Sequence, residues 1–300
     1  MEIEKIKLPG IDLSNIYVLR LDKSDPIIGG NKSFKLKFNL EKAQQLNSKG
    51  IISFGGSASN HIAALAKVAN EKGFQSIGII RGEKSELETP TLKFAISLGM
   101  QLEFIPREEY RLKEKSELVK KIIEKNPGFY LLPEGGANEE GALGCINIMD
   151  FIPEEFVSIF ASCGTGTTLA GLVAGRKIEQ KIFGVSALKG GNFLYTEIDK
   201  LLLGLKYNHG VNYFNPQFEI ITEYHFGGFA KLSEELINFK NEFESLNNFT
   251  LDYLYTSKMF FAIRDLIMKN KISNEDKIIA VHSGGIQGNE AMEKRYRIQK

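Results

Sequence analysis

A lysine close to a pair of glycines is the first feature of this sequence that could do chemistry. Gly29 and Gly30 let the backbone turn tightly and approach a ligand, and Lys32 follows two residues later. A lysine amine forms a Schiff base with an aldehyde when burial or a neighbouring cation lowers its pKa. Lys35 lies one helical turn beyond Lys32 and could supply that cation. Solvated surface lysines are the alternative, so the interpretation depends on the rest of the site.

A glycine- and threonine-rich turn, between a predicted strand and a predicted helix, could bind a phosphate. It consists of Gly164, Thr165, Gly166, Thr167 and Thr168. Backbone N–H groups at a helix N-terminus carry partial positive charge, and the threonine hydroxyls add donors. The turn matches neither a P-loop nor the G-x-G-x-x-G pattern. An ordinary turn capped by threonine is the alternative.

A second turn of this kind, residues 55–61, could hold the carboxylate of an amino acid. Ser59 or Asn60 would cap the helix that follows, and the free N–H groups of its first turn would face the ligand. Plain capping is the alternative, because it needs only one of these two residues. His61 could act as a base, although a histidine in a first helical turn is more often a packed or solvated ring.

Two more side chains complete a possible cofactor site. Tyr255 precedes a predicted helix and could stack on an aromatic ring and transfer a proton, and Ser283 could hydrogen-bond a ring nitrogen. A surface tyrosine and a turn serine are the alternatives. Together with the lysine and the phosphate turn, these residues fit pyridoxal phosphate, which needs a lysine for its aldehyde and an anion site for its phosphate.

The elements that must position these residues form two runs of βα units. Short segments rich in Ile, Val and Phe alternate with helical patterns, which predicts two α/β lobes with mostly parallel sheets and a boundary near residue 150. Ligands of such folds bind beyond the carboxyl ends of the strands, where the glycine-rich turns lie. The predicted strands are 51–54, 76–80, 102–105, 129–132, 157–161, 182–186 and 277–282. The predicted helices are 35–49, 60–73, 90–98, 108–124, 139–149, one from Thr168, 192–203, 233–245 and 258–268; residues 204–230 have no assignment.

Composition narrows the class of protein. A chain of 300 residues with 43% hydrophobic and 25% charged residues is typical of a globular protein with one large or two smaller domains. Its net charge of +1 indicates neither nucleic acid nor an anionic membrane surface as a partner. Cys145 and Cys163 do not make a disulfide framework or a metal site, and no apolar segment approaches the length of a membrane span. We therefore expect a cytoplasmic protein with a small-molecule substrate and no metal.

Taken in order, the motifs resemble the 1-aminocyclopropane-1-carboxylate deaminase and D-cysteine desulfhydrase family of pyridoxal-phosphate enzymes. The ordered set is Gly29-Gly30-Asn31-Lys32, Gly55-Gly56-x-x-Ser59-Asn60-His61, Gly164–Thr168, Tyr255-Thr256-x-Lys258 and His282-Ser283-Gly284-Gly285. The resemblance runs from about residue 15 to 290. It implies the tryptophan-synthase-β-like fold, fold type II, with two three-layer α/β/α domains, usually in a homodimer. Residues 1–40 and 151–300 would form a large cofactor-binding domain, and residues 41–150 a small mobile one.

The resemblance also assigns roles by position. Lys32 would be the internal aldimine lysine, with Lys35 as a nearby cation that binds the cofactor and as the second choice for the aldimine. Asn60 would bind the phenolic oxygen of the cofactor and, with Ser59 and His61, the substrate. The residues of the phosphate turn, Gly164, Thr165, Gly166, Thr167 and Thr168, would hold the phosphate. Tyr255 and Ser283 would contact the ring, and the catalytic residues would be Lys32, Ser59 and Tyr255.

Departures from the family pattern bear on the substrate. Family members that open a cyclopropane ring carry Glu and Leu where this chain has Thr256 and Ser283. A Glu against the pyridine nitrogen keeps it protonated and strengthens the electron sink, whereas a hydroxyl does not. The departures favour α,β-elimination from D-cysteine, giving pyruvate, ammonia and sulfide. The alternatives are 1-aminocyclopropane-1-carboxylate deamination, racemisation, or a non-catalytic binding protein, which is favoured by Phe229 in place of a usual tyrosine.

Overall fold

The structure, a computed structural model, describes residues 1–25, 28–83, 89–214 and 216–298. Within these ranges the strands are β1 (Ile3–Lys5), β2 (Ile16–Arg20), β3 (Gly50–Gly56), β4 (Gln75–Arg81), β5 (Gln101–Ile105), β6 (Phe129–Leu132), β7 (Ser158–Cys163), β8 (Lys181–Ser186), β9 (Phe218–Ile221) and β10 (Ile278–His282). The α-helices are α1 (Asn31–Gln45), α2 (Asn60–Glu71), α3 (Pro90–Ser97), α4 (Arg107–Leu112), α5 (Glu117–Lys125), α6 (Glu139–Ile146), α7 (Thr167–Gly175), α8 (Phe193–His209), α9 (Glu234–Leu246), α10 (Thr256–Met268) and α11 (Asn289–Tyr296).

The strands form two separate sheets. The larger has the order β1-β2-β10-β7-β8-β9, and every neighbouring pair is parallel except β1 with β2. The smaller has the order β5-β4-β3-β6 and is entirely parallel. The smaller sheet draws all its strands from residues 41–150 and the larger sheet draws none from there. The exact domain division, and the mobility of the smaller unit, stay predictions.

Helices cover both faces of each sheet, so the predicted three-layer α/β/α arrangement is confirmed. Along β10, Ile279 and Val281 pack into a core that includes α6, α7 and α8, whereas Ile278 and Ala280 pack into a core that includes α9 and α10. This alternation follows from the two-residue period of a strand. The smaller sheet has α1, α2 and α3 on one face and α4 and α5 on the other.

Helix α1 connects the two sheets and carries Lys32. Its residues Leu36, Leu40 and Ala43 pack into the core of the smaller sheet, while Phe34 packs against the core of the larger one. The first turn of α1 is therefore held where the two halves meet. No helix in the described ranges combines the length and the apolar content that a membrane crossing requires.

Several predicted boundaries differ from the structure. The helix predicted at 35–49 begins at Asn31 and ends at Gln45, and Leu46, which directly follows it, is 59% exposed. The helix predicted at 108–124 is two helices, because Lys113 adopts a left-handed φ of 51° and Ser116 caps α5. Strands β1, β2 and β9 have no counterpart among the predicted strands.

Candidate active site

The turn before α1 and the turn after β10 contact each other through glycines. Gly30 pairs with Gly284 in an antiparallel bridge, and the N–H of Asn31 donates to the Ser283 carbonyl at 3.2 Å. A Cβ atom on Gly30 would lie 2.1 Å from the Ser283 oxygen, and the φ of Gly30 is 133°. Only glycine permits both this approach and this φ. The contact fixes the start of α1 at the carboxyl end of β10.

A cleft opens beside this contact. It is lined by Ile28, Gly29, Lys32, Asn60, Tyr255, Ser283, Gly284, Gly285 and Gln287. These residues come from the starts of α1 and α2, from the residue preceding α10, and from the turn after β10. The cleft therefore lies at the carboxyl ends of the central strands of both sheets, as is usual for open α/β folds.

Lys32 is half-buried in the wall of this cleft. Its Nζ donates to the Asn31 Oδ1 at 2.8 Å, and the Asn31 side-chain amide donates to the Thr168 hydroxyl at 2.8 Å. Burial lowers the pKa of Lys32 to about 7, and the charge of Lys35 contributes in the same direction. Lys35 is itself buried. The role of Lys35 as a cation beside Lys32 agrees with the direction of this shift and stays a prediction.

The glycine- and threonine-rich turn lies between β7 and α7. Gly166 adopts a φ of 79° directly before α7, and the Thr165 and Thr167 hydroxyls lie 2.9 Å apart. Because the first N–H groups of a helix have no partners within the helix, this turn presents backbone donors to an anion. A Cβ on Gly164 would lie 3.2 Å from the Tyr255 ring, so the turn abuts the tyrosine that lines the cleft.

The turn between β3 and α2 supplies the opposite wall. Ser59 caps α2, since its hydroxyl accepts from the Ile62 N–H at 3.3 Å. The Asn60 side-chain amide donates to the Gly285 carbonyl at 3.2 Å. Its Oδ1 atom is buried and has no hydrogen-bond partner within the described ranges. Buried polar atoms are rarely left unpaired, so this oxygen indicates a ligand with a donor.

His61 lies beneath the cleft and does not line it. Its Nε2 atom lies 2.8 Å from the Ser53 hydroxyl, and burial, aided by the charges of Lys32 and Lys35, lowers the pKa of His61 to about 3. The ring is therefore neutral at physiological pH. The contact of His61 with a substrate carboxylate stays a prediction. In the structure the ring is packed in the interior, which is the alternative given for a histidine in a first helical turn.

Asp252 organises the segment around Tyr255 and was not expected from the sequence. Its carboxylate accepts from the Tyr255 N–H at 2.7 Å and from the Thr256 hydroxyl at 2.6 Å. Burial, followed by the charge of Asp252, raises the pKa of the Tyr255 phenol, so the phenol keeps its proton. Thr256 is fully buried and does not line the cleft, whereas Ser283 does, with its Oγ 3.4 Å from that of Ser162. Of Thr256 and Ser283, the two positions where ring-opening family members carry Glu and Leu, only Ser283 lines the cleft.

Comparison with known proteins identifies the class. A crystal structure described as an ACC deaminase homologue superposes with a TM-score of 0.83 at 25% identity, covering 98% of this chain and 93% of that one. The fold is thus the tryptophan-synthase-β-like fold type II expected from the sequence. A family model described as pyridoxal-phosphate dependent enzyme matches residues 4–284. The chain belongs to this family, and its cofactor is pyridoxal phosphate.

Two relatives extend the comparison over nearly the whole chain. A Thermotoga maritima protein named "Putative 1-aminocyclopropane-1-carboxylate deaminase" is 30% identical over 94% of this chain and 92% of its own length. An Arabidopsis thaliana protein named bifunctional D-cysteine desulfhydrase/1-aminocyclopropane-1-carboxylate deaminase, mitochondrial, is 28% identical over 95% of this chain and 76% of its own length. The cleft suits the cofactor of this family, because it offers an amine of lowered pKa and the unpaired Oδ1 of Asn60.

The lowered pKa of Lys32 leads to a prediction for the apo-protein. A neutral amine attacks an aldehyde, so the rate of covalent pyridoxal phosphate capture should rise through a pH of about 7 and then level off. For an ordinary lysine, the rate would keep rising until the pH reached its pKa of about 10.4. Lys35→Met removes the neighbouring charge, so the midpoint should move to higher pH. Stopped-flow absorbance measures the pH midpoint in the unaltered protein and in Lys35→Met. A capture rate that still rises above a pH of about 9 in the unaltered protein would contradict the assignment of Lys32 as the reacting amine.

Proposed function

We propose that this protein is a pyridoxal-phosphate-dependent lyase that eliminates the β-substituent of a small amino acid, with D-cysteine as substrate. Water and D-cysteine would give pyruvate, ammonia and hydrogen sulfide, and the cofactor would be regenerated. The observation that carries the proposal is Lys32, a half-buried amine with a pKa lowered to about 7 in the wall of the cleft. The name of the Arabidopsis relative supports the choice of substrate.

The residues around the cleft suit the parts of this cofactor. Lys32 would join its aldehyde, Asn60 would meet its phenolic oxygen and Tyr255 would pack on its ring. The turn of residues 164–168, with the buried charge of Lys35, would hold its phosphate. When bound, pyridoxal phosphate withdraws the electron pair that is left when the substrate loses its α-proton.

The chain's own residues would do the proton transfers and the positioning. Lys32, which is partly neutral near pH 7 because its pKa is lowered to about 7, would take the α-proton of the substrate. The start of α2, with Ser59 and Asn60, would hold the substrate carboxylate. The Tyr255 phenol, whose pKa is raised by burial, would stay protonated and would donate a hydrogen bond to the leaving thiolate. Thiolate is a good leaving group, so its elimination does not need a strong electron sink. A pyridine ring whose nitrogen meets only the hydroxyl of Ser283 would be sufficient.

Deamination of 1-aminocyclopropane-1-carboxylate is the second candidate. It is favoured by the name of the Thermotoga relative, which is more similar to this chain than the Arabidopsis relative is. Breaking a ring carbon–carbon bond places a greater demand on the electron sink. The hydroxyl of Ser283, where ring-opening family members carry Leu, argues for the elimination reaction.

The assay that tests the proposal offers D-cysteine, L-cysteine and 1-aminocyclopropane-1-carboxylate to the holoenzyme separately. We expect equal amounts of sulfide and pyruvate from D-cysteine. Ammonia and 2-oxobutanoate from the cyclopropane substrate, without sulfide from either cysteine, would replace the proposal with the second candidate. Binding of these amino acids without any product would leave the alternative of a non-catalytic binding protein. The sequence favours that alternative only through Phe229, which stands where the family usually has a tyrosine.

Ser283→Leu should change the choice between these substrates. Leucine would remove a hydroxyl from the cleft and fill part of its space, so we expect the ratio of kcat/KM for D-cysteine over the cyclopropane substrate to fall by about tenfold. Ser162→Ala is the control, since it removes the neighbouring hydroxyl without filling the cleft. An unchanged ratio in Ser283→Leu would remove Ser283 from the substrate argument. Thr256→Glu is unsuitable, because it would bury a second carboxylate beside Asp252.

We further propose that the enzyme is a cytoplasmic homodimer with a small mobile domain of residues 41–150. The family resemblance supports the dimer and the domain, and the cysteine content supports a reducing compartment. Light scattering after size-exclusion chromatography tests the oligomeric state: a mass of one chain at micromolar concentration would contradict the dimer.

A further inference from the structure

The loop between β9 and α9 has an unusual backbone. Phe226, Gly227, Gly228 and Ala230 all adopt left-handed φ values, of 52°, 93°, 120° and 56°. Two of these residues carry side chains, for which the left-handed region is unfavourable. A loop with this conformation needs contacts from the rest of the fold to hold it.

Lys258 supplies such a contact. Its Nζ donates to the carbonyl of His225 and to the carbonyl of Gly228, each at 2.9 Å. Lys258 is fully buried, and burial lowers its pKa to about 8, opposed by the charge of Asp252. A buried amine is costly unless its donors are satisfied, so these two carbonyls account for its presence in the core.

The loop places an aromatic side chain against Tyr255. Phe229 follows Gly228 directly, and its ring lies against that of Tyr255, with centroids 5.9 Å apart and planes inclined at 56°. Tyr255 lines the cleft directly before α10, and Lys258 lies three residues later, in the first turn of α10. Residues 255–258 therefore carry both part of the wall of the cleft and the anchor of the loop that packs against it.

We propose that Lys258 is a positioning residue that holds the loop of residues 225–229 so that Phe229 forms the outer wall of the substrate site beside Tyr255. Phe229 would then limit the size and polarity of the β-substituent that the site accepts. This role in specificity rests on the proposed function, whereas the placement of Phe229 by Lys258 does not.

The placement can be measured without activity, because the sequence contains no tryptophan. Phe229→Trp introduces a single fluorescent reporter on the loop, and Lys258→Met is then added to it. We expect the acrylamide quenching constant to rise at least about twofold and the anisotropy to fall, since the loop loses both hydrogen bonds. Lys240→Met is the matched control: Lys240 is also buried, but it pairs with Glu244 on α9.

A second variant reaches the same contact from the loop. Gly228→Ala conflicts with a φ of 120° but meets no atom closer than 3.7 Å, so it should disturb the loop and leave the core intact. If circular dichroism shows that Lys258→Met does not fold, the fluorescence measurement is made with Gly228→Ala instead. Unchanged quenching and anisotropy in either folded variant, relative to the Lys240→Met control, would overturn the proposal.

The specificity role has its own readout. In Lys258→Met with Phe229 retained, KM for D-cysteine should rise about tenfold while kcat changes little, because only the wall of the site is released. Lys258→Gln keeps an N–H donor and should recover part of the loss. Equal falls in kcat and kcat/KM would place Lys258 in the chemical step instead. Absence of all turnover in the unaltered enzyme would refute the proposed function and leave the fluorescence result intact.

Discussion

Lys32→Ala should abolish both the covalent attachment of pyridoxal phosphate and turnover. The variant loses the only lysine amine that lines the cleft within the described ranges. It also loses the group proposed to remove the α-proton, so kcat should fall by about a thousandfold or more. The protein should still bind the cofactor through the phosphate turn. The absorption band of the lysine-linked cofactor should therefore be absent, with a band like that of the free aldehyde in its place.

Lys35→Met is the control for this experiment. Lys35 is the alternative residue for the covalent link, and it is buried one turn further along α1 without lining the cleft. Its loss should weaken cofactor affinity through the phosphate while leaving the link intact. A Lys32→Ala protein that kept the band and the activity, beside a Lys35→Met protein that lost both, would transfer the role to Lys35.

Gly30→Ala should disrupt the contact that places Lys32. The new Cβ would lie 2.1 Å from the Ser283 carbonyl oxygen and would require a φ of 133° that alanine avoids. The start of α1 must then move away from β10, with loss of the hydrogen bond between Asn31 and Ser283. We expect the free energy of unfolding to fall by about 3 kcal/mol or more, and cofactor affinity to fall with it.

Gly190→Ala separates backbone strain from the steric clash. Gly190 has a φ of 75°, but a Cβ there would meet nothing within 4 Å. This variant should lose about 1 kcal/mol of stability and keep normal cofactor affinity. Urea unfolding of both apo-proteins gives the comparison. If Gly30→Ala matched Gly190→Ala in stability and bound the cofactor normally, the glycine contact would not determine the geometry of the site.

Local sequence patterns predicted the parts of the molecule that depend on neighbours in the chain. The alternation of apolar segments with helical patterns gave the parallel sheets. The turns at Gly55 and at Gly164 could be placed at the carboxyl ends of strands because each follows an apolar segment and precedes a helix. The ordered motifs then led to the family, and hence to the cofactor, which the comparisons confirm.

Contacts between distant residues could not be predicted in the same way. The bond from Asn31 to Thr168 joins residues 137 positions apart, and it exists only because α1 packs between the two halves. Likewise, the hydroxyl of Thr256 turns to Asp252 rather than to the cleft, since a buried carboxylate needs donors. The break at Lys113 was missed because the charge pattern of residues 108–124 suits one helix as well as two.

The lysine that carries the covalent cofactor can be located directly. Borohydride reduction of the holoenzyme fixes the cofactor to whichever lysine carries it, and mass spectrometry of fragments from the proteolysed protein can separate Lys32 from Lys35. We expect one modified residue, Lys32. Modification of Lys35 or of a lysine outside α1, or no modification in protein saturated with pyridoxal phosphate, would contradict it.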